Sequence, residues 1–441
     1  MMNALPPKDE DARRIPSKST NQEVQHVNPF KEKPSKSILE LTPNWKGLSV
    51  TPYDKLAADP FTKERIILMN GIEVEATMFG HNFHRHCMDN ELRRDLALTR
   101  RHEQMQQKRI NWMSPSTESA LETTIGYEQL AVDLTACLAM KEPDPYVKAA
   151  MDFALLEDFD HLYRYSNLLD FDGDVPAHKL TLDMVEITPG RPTIAEHRHP
   201  ADTVFYAGNG KKMALQTIMG AMTLVAGEQQ TMNFYMNVGN TIPEGPGRDL
   251  YQEIGMVEEE HVTQYGSLLD PSLSWMQMLL LHEYHECWLY KSFFETETDS
   301  YVKKLWGEHL EQEIMHLHMV AQLLEKYEGM HYSELVGDGD FPELLELKPT
   351  KEYVRDILAS QVELTTNLEE FVDVSKLPDK HDFFTWNNHV NGLIQDVPSH
   401  VVIREHIDKF GEDYRREDAP NPIEDLQDRT HDNTVIARTK R

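Results

Sequence analysis

The pattern of apolar and polar positions predicts helices along most of the chain. Apolar residues recur at helical spacing from about residue 59 to residue 112, and six strongly helical stretches follow between residues 114 and 328. A polar residue followed by proline is typical of a helix start, with the polar side chain as N-cap and proline in the first turn. Such pairs occur at Ser114-Pro115, Asp144-Pro145 and Asp270-Pro271. No run of alternating residues predicts a β-sheet.

The same pattern divides the chain into five parts. The ends are polar and lack apolar periodicity, and the helical signal is weaker after the central region, where two or three shorter helices are expected. The predicted parts are a flexible polar arm over 1–60, a helical N-terminal extension over 61–113, a helical bundle over 114–328, a C-terminal helical region over 329–415 and a polar tail over 416–441. The expected fold class is therefore all-α.

An internal repeat marks the central region. The ten residues from His161 to Asp170 align with those from His261 to Asp270, and a looser copy begins at His316. An acidic residue stands three positions before each histidine, and a glutamate stands thirty positions before each acidic residue. Three matches in one chain are hard to ascribe to its acidic composition. The three sets are Glu128, Asp158, His161; Glu228, Glu258, His261; and Glu283, Glu313, His316.

This spacing has a structural meaning. An acid and a histidine at positions i and i+3 lie on one helix face, so both can reach the same metal ion. The turn of each hairpin brings the single glutamate to the same level. Surface ion pairs are the alternative explanation, but Glu228 follows Leu-Val-Ala-Gly and Glu283 lies just after Met278 to Leu281. A charge among such neighbours is costly unless it is paired or bound to metal.

Two such hairpins supply four carboxylates and two imidazoles, the ligand set of di-iron and di-manganese carboxylate proteins. In this respect residues 114–328 resemble the ferritin-like superfamily, which includes bacterioferritins, rubrerythrins, manganese catalases and the ribonucleotide reductase small subunit. The resemblance implies a ferritin-like bundle, enlarged here by a third helical hairpin and a smaller C-terminal helical region. Asp158 stands where the family has glutamate, and Glu157 beside it is an alternative ligand. The implied ligands are Glu128, Asp158, His161, Glu228, Glu258 and His261.

Two pairings of the hairpins are open. The connection over residues 170–212 is long enough to cross a bundle from end to end, which favours the first hairpin with the second. A simple up-down-up-down bundle of the second and third hairpins would also bring the ligands to one level. Glu283, Glu313 and His316 are therefore possible additional metal ligands. His282, His285 and Glu286 surround Glu283, and any of them is an alternative to it.

Other residues near the predicted ligands have weaker signals. Tyr127, Tyr165 and Tyr265 lie beside a ligand or one helical turn from it, so each could hydrogen-bond a ligand or carry a radical. Ordinary packing of buried aromatic rings is the alternative that we favour. A separate metal site is one interpretation of the loop histidines, although such residues usually bind nothing. They are His81, His84, His86, His197 and His199.

Composition limits the partners and the compartment. With 74 acidic and 44 basic residues the formal net charge is -30, which argues against nucleic acid and anionic membranes as partners. No stretch of 18 apolar residues and no signal peptide is present, and the three cysteines are widely spaced. A disulfide framework and a cysteine zinc site are not expected, and the predicted location is cytoplasmic.

The expected cofactor is two iron ions, with manganese as the alternative. Such centres activate dioxygen or peroxide, so we expect an oxidoreductase, an oxidase, oxygenase or peroxidase. The alternatives are a di-manganese catalase-like enzyme and a ferroxidase or iron-handling protein. No Cys-x-x-Cys pair for a rubredoxin-type iron is present, so an electron donor would be a separate molecule. A homodimer is compatible with the sequence.

Overall fold

A computed structural model describes residues 27–172, 175–210, 212–414, 419–427 and 430–432. These residues form fifteen α-helices, five short 3₁₀ helices and one two-stranded hairpin, so the all-α prediction is confirmed. The α-helices are α1 Ile38–Leu41, α2 Pro60–His86, α3 Asn90–Asn111, α4 Ala120–Ala139, α5 Pro145–Asp172, α6 Ala177–Leu180, α7 Thr193–Glu196, α8 Leu215–Val238, α9 Pro246–Ser267, α10 Trp275–Thr296, α11 Ser300–Glu328, α12 Ser333–Val336, α13 Lys351–Gln361, α14 Asp382–Asn391 and α15 Pro398–Phe410. The strands are β1 Leu364–Asn367 and β2 Glu370–Asp373, and the 3₁₀ helices are Pro200–Thr203, Gly239–Thr241, Val374–Lys376, Ile394–Asp396 and Glu424–Leu426.

Only one of the three predicted polar–proline helix starts is correct. Helix α5 begins at Pro145, and Asp144 accepts a hydrogen bond from the backbone of Tyr146 at 2.8 Å. Helices α4 and α10 begin later than predicted, because Ser119 and Ser274 each form a reciprocal capping box with the residue three positions on. The capping box satisfies the backbone N–H groups of the N-cap residue and of the residue three positions on.

The eight long helices form four hairpins, which combine into two four-helix bundles. Helices α4, α5, α8 and α9 form what we call the first bundle, and α2, α3, α10 and α11 form the second bundle. The first bundle joins the first and second predicted hairpins. The sequence suggested that the third hairpin enlarges this bundle, and that prediction is wrong. The third hairpin packs against the predicted extension over 61–113, which is the hairpin α2–α3.

Helix α2 joins the two bundles, because it also packs against α4 and α8. In the N-terminal half of α2, apolar residues on several faces are buried, as Ile66, Leu68 and Met69 show with at most 1% exposure. Gly71 lies where α2 meets α8, and a Cβ atom added there would stand only 3.0 Å from the carbonyl oxygen of Ala226. A larger residue would push α2 away from α8.

The segments outside the bundles lie against them. Of the arm predicted over 1–60, residues 1–26 lie outside the described residues. From residue 27 on, the chain contacts the second bundle, where Phe30 stacks on Tyr332 and Gln312 donates to the carbonyl of Leu41. The described part of the connection over 170–212 lies against α5 and α9, and its residues Arg191 and Arg198 are buried.

Residues 350–415 contain three helices, α13 to α15, where two or three shorter helices were predicted, and one element that the sequence did not predict. Helices α13 and α15 pack against α5, and α15 also contacts α9. The missed element is the antiparallel pair β1–β2, in which Leu364 lies opposite Asp373. Four-residue strands are too short for an alternating pattern to stand out. Among the described helices, none combines the length and apolar character that crossing a membrane requires.

Candidate metal centre

The first bundle brings the six predicted ligands together at its centre, in what we call the first cluster. One helix of each hairpin contributes a glutamate and the other contributes an acid–histidine pair, because i and i+3 share a face. All six side chains are at most 3% exposed. They form two groups whose ligand atoms lie within 4.8 Å of one another, and Glu258 belongs to both. The groups are Asp158, Glu228, Glu258, His261 and Glu128, His161, Glu258.

His261 directs one ring nitrogen into this cluster. Its Nδ1 atom lies 3.2 Å from Asp158, 3.4 Å from Glu258 and 3.8 Å from Glu228. Despite these three close carboxylates, Nδ1 makes no well-directed hydrogen bond. The other nitrogen, Nε2, lies 2.8 Å from an oxygen of Glu157 outside the cluster. A nitrogen that faces several carboxylates without bonding to one is placed as a metal ligand would be.

His161 has the same orientation on the opposite side. Its Nδ1 atom lies 3.0 Å from Glu258 and 3.9 Å from Glu128, and its Nε2 atom lies 3.0 Å from Glu196. The two imidazole rings are 5.9 Å apart. Each histidine therefore has its Nδ1 inside the cluster and its Nε2 held by an outer carboxylate. This is the arrangement that fixes the tautomer of a metal-binding histidine.

Acidic groups outnumber basic groups in the first cluster, where four carboxylates face two imidazoles. Burial raises the pKa of Glu128 and Glu228 well above the usual range. Burial alone would also raise the pKa of Glu258, but the hydrogen bond from His161 and the nearby imidazole of His261 lower that pKa to about 2. The surrounding carboxylates outweigh burial at His161 and His261 and raise both imidazole pKa values well above the usual range.

Several oxygens of the cluster lack partners. Glu128 Oε2, Asp158 Oδ2, Glu228 Oε2 and Glu258 Oε2 are buried and make no hydrogen bond. Buried polar atoms without partners are rare in folded proteins, because each one costs free energy. The cluster offers four carboxylates and two imidazoles in two groups that share Glu258. Such a set fits two divalent ions of the iron or manganese type. The residues present therefore fit the expected cofactor.

Glu157 lies outside the cluster, although it was an alternative to Asp158. Adjacent residues on a helix point about 100° apart, so only one of the two can face the bundle axis. Glu157 faces the buried connection, where Arg198 donates to it and Arg191 lies 3.3 Å away. Burial opposes its ionisation, but Arg198 and His261 lower the pKa of Glu157 to about 2. It is an ionised partner of His261.

The three predicted tyrosines differ in position. Tyr265 is buried near Asp158 and Glu228, and burial together with those charges raises its pKa well above the usual range. Tyr165 packs on Tyr235 and Tyr251 with ring centroids 5.3 and 4.9 Å away. Tyr127 points elsewhere and stacks on Phe234 at 4.6 Å.

Two residues that contact the cluster were missed by the sequence analysis. Tyr235 donates its hydroxyl proton to Glu128 Oε1, and it stands seven residues after Glu228 on the same face of α8. That spacing of two helical turns was a usable signal. Glu196 is the last residue of the four-residue helix α7 in the connection between the hairpins, and a helix this short has no periodicity that marks a residue as facing the bundle.

A cavity of about 580 Å³ opens at one end of the first bundle. Leu121, Leu168 and Ile242 give it a mostly apolar lining, and Tyr251 forms part of its wall. Tyr251 packs against Tyr235 with ring centroids 5.5 Å apart. Aromatic rings therefore connect the wall of the cavity to Glu128.

The possible additional ligands lie in the second bundle. Glu283, Glu313 and His316 are gathered there with Glu103 of α3 and lie away from the first cluster. The alternative prediction, in which the second and third hairpins form one site, is therefore wrong. His282 pairs with Glu75 and His285 contacts Thr223, whereas Glu286 belongs to a second group with Glu73 and Glu103.

The remaining histidines do not converge. His81 and His86 are exposed on α2, and His84 contacts Arg93 beside them. His197 bonds to Glu253 and His199 packs on Trp386. Within the described residues, none of these five belongs to a group that could hold a metal ion.

Comparisons with models of protein families, with curated proteins and with solved structures found no match to this chain.

Proposed function

We propose that the protein is a ferritin-like di-iron carboxylate oxidoreductase whose first cluster holds two iron ions and acts on dioxygen or peroxide. Glu128 and His161 would bind one ion, Asp158, Glu228 and His261 the other, and Glu258 both. One observation supports this most strongly: two groups of buried ligands share Glu258, and several of their oxygens lack a hydrogen-bond partner. An iron pair would supply the electrons that the reduction of dioxygen or peroxide requires.

The residues around the ligands have defined tasks in this proposal. Glu157 and Glu196 accept hydrogen bonds from the Nε2–H groups of His261 and His161, so that each Nδ1 lone pair stays directed inward. Arg191 and Arg198 keep Glu157 ionised. Tyr235 holds a proton at Glu128, where a change in the charge of that carboxylate would be felt directly.

The cavity beside the first bundle is where an organic substrate or reductant would bind. Its apolar lining favours an apolar or aromatic molecule over a charged one. Tyr251 and Tyr235 lie between the cavity and Glu128, and tyrosine can pass an electron and a proton. The six ligands are themselves at most 3% exposed, so bulk water is excluded from the cluster.

The test is oxidation of ferrous iron by dioxygen. Protein loaded anaerobically with Fe²⁺ and then exposed to air should oxidise about two irons rapidly at the first cluster. His261→Ala removes one ligand and should slow this phase to the rate of iron in buffer. Glu259→Ala alters an exposed residue on the same helix and should leave it unchanged. The rate is followed by the absorbance of ferric iron.

Other outcomes would contradict the proposal. Continued oxidation of many irons per chain with a mineral-like spectrum would indicate iron storage. Vigorous oxygen evolution from peroxide by the manganese-loaded protein would favour a catalase-like enzyme. Equal rates for wild type and His261→Ala would remove the first cluster from the reaction altogether.

A further inference from the structure

We propose that the second bundle contains a second, chemically different metal centre, formed by hairpins α2–α3 and α10–α11. This centre has one histidine where the first cluster has two, and it gains a carboxylate in exchange. Its residues, which we call the second cluster, are Glu73, Glu103, Glu283, Glu286, Glu313 and His316. The structure suggests that it takes hard divalent cations of the Mn²⁺ type.

The geometry around His316 repeats that around His261. His316 Nδ1 lies 3.1 Å from Glu103, 3.1 Å from Glu313 and 3.7 Å from Glu283. Asp158, Glu258 and Glu228 have the corresponding places around His261 in the first cluster. The histidine and the three acids come from equivalent positions of equivalent hairpins. The same cation position is therefore present in both bundles.

Hydrogen bonds outside the second cluster support this equivalence. Tyr290 stands seven residues after Glu283 and donates to Glu73, just as Tyr235 stands seven residues after Glu228 and donates to Glu128. His316 Nε2 is held 3.2 Å from His102 Nδ1, and His102 in turn contacts Thr42 at 2.6 Å. With His102 as acceptor, the Nδ1 lone pair of His316 points inward.

The other cation position differs between the bundles. Glu73 and Glu103 are thirty residues apart, as in the other hairpins, but Gln106 stands where a histidine would follow. Gln106 donates its amide to Glu313 and so positions a ligand. Glu286, one turn beyond Glu283, groups instead with Glu73 and Glu103, so this position has only carboxylates. Carboxylate sites favour Mg²⁺, Ca²⁺ and Mn²⁺, whereas imidazole favours zinc, copper and iron.

The second cluster is also short of positive charge and of hydrogen bonds. All six side chains are at most 4% exposed. Among the described residues, no lysine or arginine forms an ion pair with any of its five glutamates, and His316 is the one basic partner. Glu73 Oε2, Glu283 Oε2 and Glu286 Oε1 are buried without a hydrogen-bond partner. Such oxygens are costly unless a cation binds them.

A small cavity borders one side of the second cluster. Its volume is about 20 Å³, and Glu103, Glu283 and Glu286 line it together with Arg100 and His282. A void of roughly 10–15 Å³ on the same measure is enough for one water-sized species. The second cluster therefore combines ligands, unsatisfied oxygens and space, and Mn²⁺ suits both of its positions.

The test counts bound Mn²⁺ by equilibrium dialysis and elemental analysis, with electron paramagnetic resonance as a second readout. Wild-type protein should bind about four Mn²⁺ per chain, two in each cluster. Glu103→Gln removes the carboxylate shared within the second cluster and should lower the count by about two. Glu258→Gln should do the same at the first cluster, and the double variant should bind almost none. Glu325→Gln, at an exposed position of α11, is the matched control.

The variants separate this inference from the proposed function. A count that falls with Glu258→Gln but not with Glu103→Gln overturns the second centre and leaves the first. The reverse result overturns the first centre and leaves the second. If Glu103→Gln loses its helical circular dichroism, His316→Gln replaces it; this variant removes a ligand of one position only and should lower the count by about one. An unchanged count in that variant overturns the inference and would indicate a cluster of protonated carboxylic acids instead.

Discussion

At the scale of single residues, the candidate metal centre depends on side chains that lie outside the ligand groups. Glu157 and Glu196 each lie on the outer side of a histidine, 2.8 and 3.0 Å from its Nε2 atom. An imidazole whose outer N–H is held by a carboxylate is both oriented and more basic, and therefore a better ligand. The two outer carboxylates act on different histidines. Each can be changed without altering the first cluster directly.

The first prediction concerns this outer carboxylate. Glu157→Gln keeps the size of the side chain but removes its charge, so His261 becomes less basic. We expect metal affinity to fall about 10- to 100-fold, measured by competition with a chelator. Glu196→Gln should have a similar effect through His161. The exposed change Glu259→Gln is the control. Unchanged affinity in both outer variants would show that these carboxylates have only a structural role.

The sequence predicted the six residues of the first cluster because they recur at regular spacing along the chain. An acid and a histidine three residues apart share a helix face, and thirty residues back along the chain lies the partner glutamate. Glu73 and Glu103 have this spacing too, but Gln106 stands where the pattern requires a histidine. The sequence pattern therefore predicts only a helical extension there, without a metal site. A search that accepts glutamine at the histidine position would have found it. Glu196 has no such signal, because the helix α7 that contains it is only four residues long.

At the scale of elements, each hairpin is the unit that brings ligands to one level. Glu128 stands eleven residues before the end of α4, and Asp158 stands thirteen residues after the start of α5. With a rise of about 1.5 Å per residue, both lie roughly 17–20 Å from the turn. The hairpin therefore sets the level of the site, and bundle packing sets the distances across it. Sequence spacing determines the first of these but not the second.

The second prediction concerns Asp133, a buried acid of α4 that lies outside both clusters. Asp133 is fully buried and accepts a hydrogen bond of 2.6 Å from Thr350, which precedes α13. Burial raises its pKa to about 7. Below the unfolded pKa of about 4 both states are protonated, so ionisation costs nothing. Between about pH 4 and pH 7 the unfolded chain ionises first, and the free energy of unfolding should fall by at most roughly 4 kcal/mol.

The measurement for Asp133 is thermal unfolding of the metal-free protein across this pH range. Wild type should lose stability relative to Asp133→Asn as the pH rises from about 4 to about 7, and the difference should then stay constant. Metal-free protein is used because metal binding would add its own pH dependence. Parallel curves for the two proteins over the whole range would contradict the raised pKa.

At the scale of the whole molecule, the order of the hairpins explains what the sequence could not predict. The two inner hairpins form the first bundle, and the two outer ones form the second, with α2 in contact with both bundles. The repeat pattern identifies hairpins, but it does not state which of them pack together. That choice depends on contacts between hairpins that are distant in the sequence, such as those of α2 with α10, which no local pattern records.

The most direct measurement of the central claim is the location of iron in crystals of the protein loaded with Fe²⁺. Anomalous difference maps collected at the iron absorption edge show iron atoms independently of any assumed ligands. We predict two peaks inside the first bundle, one between Glu128, His161 and Glu258, and the other between Asp158, Glu228, Glu258 and His261. A well-ordered first bundle without iron at either position would contradict the account.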